Sequence, residues 1–130
     1  MTSVIYASIS AFLIVWLSLN VIKVRTAKKI ILGNGEDEEL TIAIAAQINA
    51  VEYLPIALLL LFSLEYNNAH LLIVHALGIS LIIGRIIHAK GMLTSDLSIR
   101  VLGMQITIWT IIGLAAINFL FIPYSSMLNT

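Results

Sequence analysis

Residues 40–64 read LTIAIAAQINAVEYLPIALLLLFSL. At about 1.5 Å of rise per residue, a helix of this length crosses a hydrocarbon core of about 30 Å. The run is apolar except for a few groups, among them the carboxylate Glu52 and the amides Gln47 and Asn49. An ionisable group inside such a run is expensive in lipid and marks a functional position by default. Three comparable apolar stretches, 3–22, 69–87 and 101–122, take up most of the remaining chain. The sequence therefore predicts an all-α membrane protein, a bundle of four transmembrane helices at about 3–24, 39–64, 69–89 and 98–122. With short connections these use all of residues 1–130 as one domain.

Composition agrees with this reading and excludes others. The chain is 60% hydrophobic and only 11% charged, against about 25% charged in a soluble domain. There is no Cys, so disulfides and thiolate ligands are absent, and three scattered His residues give no metal-site spacing. No basic face suited to nucleic acid is present. The first stretch has an uncharged start and is followed by its basic residues, the reverse of a signal peptide. It reads as a retained helix.

The seven Lys and Arg residues are unevenly placed. Lys23, Arg25, Lys28 and Lys29 fall in the first connection. Arg85, Lys90 and Arg100 fall at or near the third. Basic short loops stay cytoplasmic, so both termini are expected outside and loops 1 and 3 inside, in a bacterial inner membrane. The acids at 36–39 precede the second helix, where negative charge suits the helix dipole. Gly91 is expected to cap the third helix, and Pro55 to kink the second.

The cytoplasmic ends carry the unexpected polar groups. Asn49 and Glu52 are three apart on the second helix, and Arg85 and His88 three apart on the third; each pair shares a helical face. Antiparallel neighbours bring all four to similar depth, where a Glu52–Arg85 pair would neutralise both charges. Arg100 enters the fourth helix from the same side. His70 and His75 sit at the other end and read as structural or interfacial.

The segment QINAVEYLP (47–55) resembles the Asn-x-x-Glu-Tyr-x-Pro signature of the membrane-associated proteins in eicosanoid and glutathione metabolism, the MAPEG family. GRIIHA (84–89) resembles its second motif, and VRTAKK (24–29) the basic end of its first helix. The resemblance spans the chain and points to the small bacterial branch. It implies a homotrimer with glutathione as co-substrate, bound between subunits near the cytoplasmic face. It implies that Asn49, Glu52 and Tyr53 hold the peptide, that Arg25 and Arg85 face its carboxylates, that His88 contacts it, and that Arg100 stabilises the thiolate. No metal is implied. The chemistry of the ligand agrees, because glutathione needs cations for two carboxylates, an anion for its ammonium and a positive field for its thiol.

Three positions depart from the family pattern. Ala45 stands where an Arg is usual, Met92 where a Tyr is common, and Val101 where a Ser can follow the Arg. The expected function is thus a glutathione-dependent transferase or peroxidase acting on lipophilic small molecules from the bilayer. The alternatives are a non-catalytic binding or structural membrane protein retaining the fold, and a small four-helix exporter. The charge bias predicts that Asn34→Cys resists a membrane-impermeant thiol reagent in intact cells, while Asn67→Cys is labelled. The opposite pattern reverses the orientation.

Overall fold

The computed structural model describes residues 1–129. Four long helices, α1 (Ser3–Lys28), α2 (Glu38–Tyr66), α3 (Leu71–Leu93) and α4 (Leu97–Phe121), are followed by a short α5 (Tyr124–Met127). No strand occurs among the described residues. Each long helix is apolar and long enough to span a bilayer. The protein is an all-α four-helix membrane bundle.

Helices α2 and α3 form its centre. Each touches the other and both outer helices, whereas α1 and α4 do not meet among the described residues. Small side chains let α2 take this place. Ala43, Ala46, Ala50 and Ala57 are buried, and close approach at small residues is what associates helices in lipid. Leu54, Leu61, Leu81 and Leu114 fill the remaining core. Helix α2 runs through Pro55 without interruption.

Helices α3 and α4 meet backbone to backbone at three glycines. A methyl group on Gly84 would press on Ile106 and Thr107, one on Gly91 would strike the backbone of Arg100, and one on Gly103 that of His88. Gly91 is therefore not the expected cap. Helix α3 continues past it to Leu93 because the position is needed for contact, and the turn into α4 is made at Ser95, with φ +54°. At its other end α3 starts at Leu71, later than expected, because the His70 ring accepts from the Leu72 N–H and acts as the cap.

The ends of the bundle are fastened by polar groups. Asp37 caps α2 by accepting from the Leu40 N–H at 2.8 Å. Lys28, on the last turn of a longer α1 than expected, bridges Asp37 at 2.8 Å and Glu39 at 3.2 Å. The Lys28 ammonium, with the Leu40 N–H, holds the Asp37 carboxyl below the usual carboxylate range. The acids thus both start α2 and pair with the basic run. At the opposite end the Glu65 carboxylate accepts from the Thr2 and Ser3 N–H groups, so α2 caps α1. Tyr6 bonds His75 at 2.6 Å and ties α1 to α3, with its ring against Gly78.

The glycine contacts make a prediction. Alanine is about 1 kcal/mol better than glycine within a helix, so Gly113→Ala, whose new methyl would lie 3.7 Å from Leu77, is expected to be neutral or stabilising. Gly103→Ala must push α4 off α3 and should lose roughly 1–3 kcal/mol. Thermal unfolding in detergent checks the contrast; equal behaviour of the two variants refutes it.

Candidate functional site

At the end of the bundle that carries the basic residues, α2, the end of α3 and the start of α4 enclose an open groove of about 400 Å³. Asn49 and Glu52 line one wall, together with Thr41, Ala45 and the aliphatic side chains of Ile44 and Ile48. Met92 and Arg100 form the other wall, and Asn34 of the first loop closes the top. The α3–α4 glycines place Arg100 there, because the close approach at Gly91 carries the first turn of α4 against α3. Arg100 is exposed. The groove therefore opposes one guanidinium to one carboxylate across amides and apolar surface, a setting for a zwitterion with an apolar or thiol portion.

Asn49 connects this groove to the interior. Its Oδ1 accepts from Arg85 Nη2 at 2.5 Å, and the same nitrogen donates to His88 Nδ1 at 2.8 Å. Arg85 is 1% exposed and His88 2%. The Tyr53 ring lies 5.7 Å from the Arg85 guanidinium carbon, within cation–π range. No acid pairs with Arg85: the ion pairs among the described residues are those of Lys28.

The expected Glu52–Arg85 pair is thus absent. Three residues are 300° of helical rotation, so Glu52 lies about 60° around α2 from Asn49 and about one turn along it. Asn49 faces α3, while Glu52 is exposed on the outer side. Of the residues singled out from sequence, Asn49, Glu52 and Arg100 share the groove, while Tyr53, Arg85 and His88 form a layer behind it. Arg25 stands apart. Its Nη1 donates to the Gly33 carbonyl at 2.6 Å, beside Ile30 and Ile31. A second cavity of about 550 Å³ lies at the same end, bounded by Lys28, Asp37 and Glu39. Lys28 pairs with Asp37 and Glu39 there, and Glu38 lines the same cavity, so its charge is predominantly acidic.

A sequence profile of the MAPEG family matches residues 3–120. The chain belongs to the MAPEG family. Inner membrane protein YecN of Escherichia coli is 35% identical over 124 residues, which are 95% of each chain, and the protein of that name from a second strain matches equally. With four helices of membrane-spanning length and composition, this MAPEG protein is an integral membrane protein, and the relatives just described are named for the inner membrane.

Sequence reasoning did not find what supports this MAPEG site from behind. The Gly84 and Gly91 contacts were signalled only by glycine at heptad spacing in α3, and the Gly103 contact in α4 and the Glu65 cap by nothing local. The packing also makes a prediction. Asn49→Leu strands the buried guanidinium and should cost about 1–3 kcal/mol, the penalty of an unsatisfied buried group. Glu52→Leu, which breaks no bond within the chain, should change the stability of a single chain by no more than about 0.5 kcal/mol, the range of surface substitutions. Equal large losses, measured by unfolding of the monomeric form in detergent, overturn this contrast.

Proposed function

We propose that this protein is a glutathione-dependent transferase or peroxidase that acts on lipophilic electrophiles. The observation that carries the reading is the groove in which Glu52 and Asn49 face Arg100. Glu52 is the acceptor for the γ-glutamyl ammonium. Asn49 hydrogen-bonds the peptide. Arg100 supplies the positive field that favours thiolate over thiol, and it keeps its charge at any physiological pH. The thiolate then attacks an electrophilic carbon of a substrate arriving from the bilayer. A C–S bond forms, and the leaving group departs with its electron pair or the carbon's π pair is displaced and protonated.

A homotrimer belongs to the same proposal. Glu52 is exposed on the single chain at a depth where a bare carboxylate against lipid is costly. A neighbouring copy that covers this face removes the cost. Glutathione has two carboxylates, and the groove within one chain contains one guanidinium. In a trimer, Arg25 of a neighbour is the candidate for the second.

A non-catalytic binding role is the second reading, favoured by a specific observation. Ala45 and Met92 both line the groove, so apolar atoms stand where the family places a cation and a hydroxyl.

Glutathione titration by calorimetry in detergent, followed by thiolate absorbance in the ultraviolet, separates the two. The transferase reading expects saturable binding and a thiolate at neutral pH. Arg100→Ala should raise the pH at which the thiolate appears, each pH unit reflecting about 1.4 kcal/mol, and should lower turnover more than affinity. Binding without a thiolate signal supports the second reading. No binding removes glutathione from the proposal.

A further inference from the structure

We propose that Arg85 is a positioning residue that never touches the ligand: through one nitrogen it turns the Asn49 amide donor toward the groove and fixes the proton of His88 on Nε2. The role assigned to the ligand rests on the glutathione reading above; the geometry of the three side chains does not.

The argument is an accounting of hydrogens. A guanidinium donates and never accepts. Arg85 Nη2 carries two hydrogens. One goes to Asn49 at 2.5 Å and the other to the His88 Nδ1 at 2.8 Å. The partner atom on Asn49 must then be its oxygen, and its NH₂ is turned the other way. Asn49 also lines the groove, so the group it presents there is a donor, suited to a carbonyl or carboxylate oxygen. The same logic applies to the ring. Nδ1 accepts, so it carries a lone pair, and the proton of His88 is on Nε2. Amide and imidazole orientations are ordinarily interchangeable; a permanent cation between them leaves one choice for each.

Arg85 is poorly placed for direct binding. It is 1% exposed, and its guanidinium stacks toward Tyr53. Arg85 does not line the groove, and its Nε and Nη1 lie buried with no hydrogen-bond partner among the described residues. The groove-lining cation is Arg100. A buried guanidinium without a carboxylate is a costly device for structure alone, and the bonds it does make end on Asn49, which lines the groove, and on His88 behind it.

Nitrogen-15 spectra of histidine-labelled protein in detergent test the ring, with the His88 signals assigned by their loss in His88→Gln. The wild type should show a neutral His88 protonated at Nε2 and bare at Nδ1. In Arg85→Met the ring is free to take the other tautomer, and the Nδ1 signal should move toward the protonated value. A wild-type His88 protonated at Nδ1 overturns the proposal, and it does so whether or not Arg85→Met folds. Asn49→Asp tests the amide. The carboxylate keeps a bond to Arg85, so the fold is retained, but the groove loses its donor and glutathione affinity should fall roughly tenfold. A folded Asn49→Asp that binds as tightly as wild type overturns the amide assignment. If the wild type binds no glutathione, the functional reading falls, and the His88 tautomer alone decides the role of Arg85.

Discussion

A guanidinium that keeps its charge lies inside a bundle built to sit in lipid, bonded to one amide and one imidazole. The geometry of the basic end follows from satisfying it. Helix α2 must present Asn49 to α3, and α3 must present Arg85 and His88 on one face, which their spacing of three allows. Once α2 is turned so that Asn49 faces inward, Glu52 is carried to the outer side. The Arg85 contact therefore also decides which polar group of α2 is left on the outer face.

The second constraint is how closely α3 and α4 approach. Lipid provides no hydrophobic drive between helices, so close packing and hydrogen bonds must hold them. Glycines at 84, 91 and 103 let the two backbones touch, and side-chain bonds such as Ser80 to Thr110 at 2.6 Å lie along the same seam. This seam, not a loop, delivers Arg100 to the groove. Outer surfaces are left apolar: Phe12, Trp16, Trp109 and Phe119 are more than half exposed, as expected where the solvent is hydrocarbon or a further helix. Both tryptophans stand on this outer face.

The departures from the family pattern take on physical meaning at this point. Ala45 and Met92 both face the groove, so their apolar character changes what the groove can hold. Arg25 is held by its own loop carbonyl and does not line the groove that Glu52 and Arg100 share.

Much of this protein was legible in its sequence. Four apolar runs, the one-sided charge distribution and the segment 47–55 determine four membrane helices and the family, because the cost of polar groups in lipid is written residue by residue. The acids at 36–39 and the pairs 49/52 and 85/88 mark the polar end of the bundle for the same reason. What the sequence could not decide was partnership. Arg85 had Glu52 as its obvious electrostatic mate, yet it bonds Asn49 and His88, since the face of α2 that is turned inward carries Asn49 beside the buried Ala46 and Ala50, and Glu52 lies about 60° around from Asn49. Gly91 looked like a stop and is a contact, because a glycine between two helices is needed wherever their backbones touch. Both outcomes depend on how whole helices are rotated and pressed together, a sum over many small packing terms that no local spacing contains.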